Sequence, residues 1–124
     1  MGRRQRQRGR TEKISAANGA YRDAEGNVLV LRGALSPSTR AAYARLLRGE
    51  DLPPGASLED IWQRSVEFLF ERLAVSWSIA GAPALVGQKD LLGRLRVAST
   101  PERAWVRDRL REHCAEHFPD VTAP

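Results

Sequence analysis

Cysteine, lysine and long apolar stretches are scarce in this chain of 124 residues. The single cysteine, Cys114, excludes an intramolecular disulfide. The longest run without a charged residue, residues 73–88, has 16 residues and contains Gly81 and Pro83. A membrane-spanning helix needs ~20 apolar residues, and no apolar stretch follows the first basic residues as in a secretory signal. We therefore expect one soluble domain in the cytoplasm.

Motifs that mark an active site are also missing, since no glycine-rich phosphate loop occurs. The nearest match is His113-Cys114-Ala115-Glu116-His117, an H-x-x-E-H pattern in which two histidines one helical turn apart share a metal ion. Such a site needs a third ligand, and Asp120 is the one carboxylate among the seven residues that follow His117. The sequence thus predicts no enzyme, no metal and no cofactor. The segment is interpreted as the solvated last turn of a helix, with Cys114 a buried or inert thiol.

The positive charge of the chain is confined to its first residues. Residues 1–13 hold six basic side chains and one acidic side chain, so the net charge of +5 belongs to them, and the other 111 residues hold 14 of each sign. Because residues 1–19 are polar, they are predicted to be a disordered arm. Such an arm could bind nucleic-acid phosphates, although no aromatic residue is interleaved for base stacking. The arginines concerned are Arg3, Arg4, Arg6, Arg8 and Arg10.

Turn and capping residues predict a mainly α fold, with a short N-terminal β-hairpin before a compact bundle of about four helices. Serine before an early proline, or before acidic residues, marks helix starts. Residues 20–118 are predicted to form the domain and residues 119–124 a C-terminal tail. The predicted elements are a hairpin at 21–32 and helices from Ser36 to about Arg48, from Ser57 to about Ala80, from Gln88 to Arg96 and from Ser99 to about His117.

The second of these helices carries an apolar stripe from Trp62 through Leu69 to Trp77, at spacings of three and four residues. Its second half is apolar nearly all round, which is typical of a core helix or of a helix with a partner on its other face. If part of the run 73–86 stays exposed, it predicts a protein-binding or self-association surface. The predicted partner-binding residues are Trp62, Phe70, Trp77, Ile79 and Leu85.

The order of these parts resembles a known family. A β-ribbon precedes Ser36-Pro37 and a first helix, and a long Trp-bearing helix is followed by Ala80-Gly81-Ala82-Pro83 and by Ala98-Ser99-Thr100-Pro101-Glu102-Arg103-Ala104-Trp105-Val106. Over residues 20–118 this resembles the small tail assembly chaperones of long-tailed phages, particularly those of actinobacterial hosts, whereas the basic arm departs from the pattern. The resemblance implies a non-catalytic, self-associating protein that coats the tape-measure protein in the host cytoplasm. The alternative is a small nucleic-acid-associated protein that acts through its arm.

Overall fold

The computed structural model describes residues 18–124, which begin with the predicted β-hairpin. Strand β1 (Gly19–Arg22) pairs antiparallel with β2 (Val28–Leu31). The turn between them forms because the Asp23 carboxylate accepts hydrogen bonds from the backbone N–H groups of Glu25 and Asn27, each at 2.9 Å. Gly26 has φ +86°, a left-handed conformation that favours glycine. This part of the fold is confirmed.

Four helices follow within the described residues, and their starts confirm the capping predictions. The side chains of Ser36, Ser57 and Ser99 each accept a hydrogen bond from the backbone N–H of the third residue that follows. For Ser57 and Ser99 that third residue is acidic and returns the bond to the serine backbone, which completes a capping box. The helices are α1 (Pro37–Leu47), α2 (Leu58–Leu73), α3 (Gln88–Arg96) and α4 (Thr100–His117).

The prediction that the second helix extends to about Ala80 is wrong. α2 ends at Leu73, and the chain turns at Ala74 into strand β3 (Ala74–Ser78). β3 pairs antiparallel with the free edge of β2, so the sheet order is β1-β2-β3. The backbone hydrogen bonds of this pairing outweigh a helical spacing that Trp77 also satisfies. The fold is accordingly mixed α/β rather than mainly α.

The sheet packs one face against the helices. Leu29, Leu31 and Trp77 point to this face and are buried, while Val28 and Val30 lie on the other face and are half-buried. Residues after α4 join the same core, because Phe118 and Val121 are buried and the Tyr43 hydroxyl donates to the Thr122 carbonyl at 2.6 Å. The helical residues buried in this core include Tyr43, Leu69, Phe70, Leu73, Leu91, Leu95, Val106 and Leu110. Among residues 18–124, none of the helices has both the length and the apolar character to cross a membrane.

Asn27 ties the hairpin turn to the segment that follows β3. Its side-chain oxygen accepts the backbone N–H of Ala80 at 2.9 Å, and its amide nitrogen donates to the Asp23 carboxylate at 2.9 Å. Since Asn27 is buried, Asn27→Ala should leave the Ala80 N–H without an acceptor and lower the free energy of unfolding by about 1–3 kcal/mol. Urea denaturation measures this loss, with exposed Asn18→Ala as the control. Equal stability of the two variants would contradict the tie.

Candidate partner-binding surface

The apolar face of α2 continues beyond the core that covers it. Leu58, Trp62, Ser65 and Leu69 follow one another at spacings of four, three and four residues and therefore share one face of the helix. Ser65 and Leu69 are fully buried, whereas Leu58 is 60% exposed and Trp62 is 51% exposed. The first turns of α2 thus present core-type side chains to solvent. We call Leu58 and Trp62 the α2 patch.

The start of α2 is held in a fixed position by the end of α1. Gly49 follows α1 with φ +73°, and a Cβ atom built there would lie 3.2 Å from Cδ1 of Ile61 in the first turn of α2. A larger residue at Gly49 would therefore be strained and would press on Ile61. The capping box of Ser57 and Asp60 fixes the first turn from the other side. The α2 patch is consequently presented on a rigid element.

Only some of the predicted partner-binding residues lie at the surface. Trp62 is exposed, and Ile79 and Leu85 are half-buried at the edge of the core. Phe70 and Trp77 are core residues, fully buried and 2% exposed, with their rings edge-to-face at a centroid distance of 5.7 Å. These two residues therefore present no surface to a partner in this fold. The helical spacing grouped them with Trp62 because it did not reveal the strand that begins at Ala74.

Leu58 is the surface residue that the sequence reasoning missed. It had been identified only as part of the helix start at Ser57. The available signal was its spacing, because Leu58 precedes Trp62 by four residues and extends the same stripe by one turn.

A second apolar surface segment follows β3. In residues 79–87 no side chain is charged, and most of the residues are exposed, including Val86 at 71%. The segment is ordered by paired backbone hydrogen bonds between Trp77 and Leu85, both at 3.0 Å, and by the bond from Ala80 to Asn27. The predicted apolar run 73–86 is therefore divided into a buried strand and an exposed loop.

The opposite face of α2 carries a groove of about 510 Å³ between α1 and α3. Leu46, Phe68 and Leu92 provide its apolar lining. Its charged residues are of both signs, and Glu67 is already paired with Arg96 at 2.9 Å. The groove accordingly lacks the convergent set of polar groups that orients a small-molecule ligand.

His113 is buried, so the interpretation of residues 113–117 as a solvated turn is wrong at this position. Its Nε2 lies 2.6 Å from the Arg32 carbonyl oxygen, and its Nδ1 lies 2.7 Å from the Tyr21 hydroxyl. Both ring nitrogens are thus engaged within the protein and neither can bind a metal. Within residues 18–124, no group of three or more His, Cys, Asp or Glu side chains could hold a metal ion.

Cys114 is a fully buried thiol, as predicted. Burial raises its pKa to about 11, because the thiolate would lose its hydration in this apolar surrounding. The thiol is therefore protonated at neutral pH. A nucleophilic cysteine needs a lowered pKa.

His113 also makes stability depend on pH. Burial lowers its pKa, since the charged ring would lose hydration. Below the ordinary pKa of ~6.5 the unfolded chain takes up a proton that the folded protein does not bind. The free energy of unfolding should therefore fall as the pH drops from 7 to 5, by at most about 1.4 kcal/mol per pH unit from this residue. Urea denaturation at several pH values tests this, and a His113→Asn variant with the same pH dependence would contradict it.

The arginine arm cannot be assigned a place. Arg3, Arg4, Arg6, Arg8 and Arg10 lie outside the described residues. Among the described basic residues, Arg103, Arg107 and Arg111 are exposed along one side of α4, but the carboxylate of Asp108 lies 3.6 Å from Arg111. The nucleic-acid prediction therefore remains a prediction from charge alone.

No protein-family model, curated protein or solved structure matches this chain.

Proposed function

We propose that this protein is a non-catalytic assembly factor that binds a protein client through the α2 patch. The observation that carries the proposal is the exposure of Leu58 and Trp62 on the face that forms the core two turns later. An exposed tryptophan beside a leucine on a rigid helix is typical of an anchor in a protein–protein interface. The structure provides no comparable set of polar groups for a chemical step among its described residues.

The size of the α2 patch favours a weak and repeated contact. A fully buried aromatic side chain covers about 150–250 Å², so half a tryptophan and part of a leucine amount to on the order of 200 Å². A stable dimer buries about 800 Å² per partner. The patch is too small to hold a second copy by itself, but it suits one of many contacts along an extended client, where the affinities of linked contacts combine.

The finer proposal is that the client is a tape-measure protein, as in phage tail assembly chaperones. Its support is the order of elements in the sequence, together with a small patch suited to binding as many copies. The structure differs from the sequence expectation in one part of that order, because the Trp-bearing segment is a helix followed by a strand. Self-association and a cytoplasmic location belong to this proposal.

A photo-reactive benzoylphenylalanine at position 62 tests the proposal in the cell that naturally makes the protein. The matched control carries the same group at Val97, which is 77% exposed and lies outside the α2 patch. We expect position 62 to cross-link to a tape-measure protein, identified by mass spectrometry, and position 97 not to. Equal yields at the two positions would contradict client binding through the patch. A different protein captured at position 62 alone would retain the assembly factor and overturn the tail chaperone.

The alternative function is nucleic-acid binding by the arm, which the charge distribution favours. All of the surplus charge belongs to residues 1–13, and binding through arginines should weaken steeply with salt. Deletion of residues 1–13 should abolish such binding in an electrophoretic mobility assay with duplex DNA and single-stranded RNA. Undiminished binding after the deletion would refute this alternative, and binding that is lost while cross-linking at position 62 persists would support both surfaces.

A further inference from the structure

One buried histidine connects three parts of the fold that are distant in sequence. Tyr21 in β1, Arg32 at the end of β2 and His113 in α4 meet through the two hydrogen bonds of the imidazole ring. The rings of Tyr21 and His113 are also edge-to-face, at a centroid distance of 5.7 Å. Gly19 lies against this junction, since a Cβ atom there would be 2.8 Å from the Tyr21 hydroxyl and 2.9 Å from Nδ1 of His113.

The hydrogen bonds fix the protonation state of the ring. The Arg32 carbonyl only accepts, so Nε2 of His113 must carry a hydrogen. In the neutral ring Nδ1 is then an acceptor, and the Tyr21 hydroxyl donates to it. Burial raises the pKa of Tyr21 to about 12, so this hydroxyl keeps its proton at neutral pH. If Nδ1 is protonated, two donors face each other and Tyr21 must give up its bond.

The charged groups around the ring do not remove this conflict. On α4 the nearest are Glu112, Glu116 and Arg109, which act on Tyr21, and His117, whose ring centroid is 4.3 Å from that of His113. Glu116 favours the charged form of His113 while His117 opposes it. The only group from β2 is the Arg32 carbonyl, since the Arg32 side chain belongs to an exposed residue, and Phe118 closes the far side of the ring. Cys114 is protonated and carries no charge.

β1 is the element that depends most on this junction. It has four residues, and among the described residues it pairs with β2 alone. Tyr21 is its one large apolar side chain on the core side of the sheet. Short edge strands with one anchoring side chain open more easily than the centre of a sheet.

We propose that His113 is a pH-sensitive latch, in which protonation of the ring releases β1, and the chain that precedes it, from α4 while the helical core stays folded. At neutral pH the bond from Tyr21 holds the strand. In mildly acidic solution the protonated ring repels the Tyr21 hydroxyl hydrogen, and the strand detaches. The release would alter how the arginine-rich residues 1–13 are presented to any partner.

Hydrogen exchange of the full chain, followed by NMR, tests the latch. The readout is the protection factor of the backbone amides of residues 20–22, compared with that of amides in the middle of α2. Opening exposes a histidine with an ordinary pKa near 6.5, so protection of β1 should fall by about tenfold between pH 7.5 and pH 5.5. Protection in α2 should change by less than about twofold. Equal losses in β1 and α2 would overturn the proposal.

His113→Asn is the decisive variant, because asparagine can donate to the Arg32 carbonyl and accept from Tyr21 but does not titrate. It should keep β1 protected at both pH values. A tenfold loss in this variant would overturn the latch, and His117→Gln, the matched control, should behave like the natural protein. If His113→Asn does not fold, Tyr21→Phe replaces it. That variant should show weak β1 protection already at pH 7.5 and little further change at pH 5.5, and a full tenfold change would contradict the proposal.

Discussion

Replacing Trp77 with alanine is expected to lower the free energy of unfolding by about 3–5 kcal/mol, the largest effect of any single change considered for this protein. The side chain is 2% exposed, packs edge-to-face with Phe70 and has the Arg94 guanidinium 5.3 Å above its ring. Removal would leave a large cavity where the sheet meets α2. A domain of this size is typically stable by 5–15 kcal/mol, so the variant would be close to unfolding.

Two further variants make this prediction specific. Trp77→Phe should cost much less, about 1–2 kcal/mol, because the indole N–H of Trp77 has no hydrogen-bond partner within residues 18–124 and nothing polar is lost. Trp62→Ala should cost about 0.5 kcal/mol or less, since half of that side chain already lies in water. Urea denaturation of the three variants provides the measurement. If Trp62→Ala were as destabilising as Trp77→Ala, the two tryptophans would not have the different environments on which the proposed function depends.

The second large effect is expected on client binding. Replacing Leu58 and Trp62 together by alanine should weaken binding at least about 30-fold, equivalent to about 2 kcal/mol, because anchors of this type dominate small interfaces. The change should leave the fold intact, since both side chains are more than half exposed. The binding energy and the folding energy of α2 are thereby assigned to different parts of one helix face.

Isothermal titration against the client identified by cross-linking measures this effect. Val86→Ala and Val97→Ala together are the matched control, because they remove exposed apolar side chains at 71% and 77% exposure outside the α2 patch. The control should bind within about twofold of the natural protein. A control that binds as weakly as the α2 variant would mean that general apolar character, rather than this patch, holds the client.

Local chemistry made most helix boundaries predictable. Ser36 with Pro37 starts α1, and the capping boxes of Ser57 and Ser99 start α2 and α4 at the residues that the sequence indicates. The hairpin turn was equally readable, because Asp23 and Gly26 perform functions that few other residues can. These features depend on neighbours within four residues, which is the range that sequence patterns describe.

The strand after α2 could not be predicted in this way. Leu73 and Trp77 are four residues apart, as in a helix, while Val75 and Trp77 alternate with serines, as in a strand. The free edge of β2, more than 40 residues earlier in the chain, decides between the two patterns. The same limit applies to His113, because its partners Tyr21 and Arg32 are 92 and 81 residues away. Burial of Phe70 and Trp77, and hence the true extent of the candidate surface, depended on these distant contacts.

The indole ¹H–¹⁵N spectrum of the full chain tests the central claim most directly, because the three tryptophans report on three environments. Trp62 lies in the α2 patch, Trp77 in the core, and Trp105 is half-buried on α4 under Arg109. On addition of the cross-linked client, the account predicts that the Trp62 signal shifts or broadens first and most, while that of Trp77 is unchanged. Equal changes in all three signals, or a Trp62 signal that stays fixed while the client binds, would contradict client binding through the start of α2.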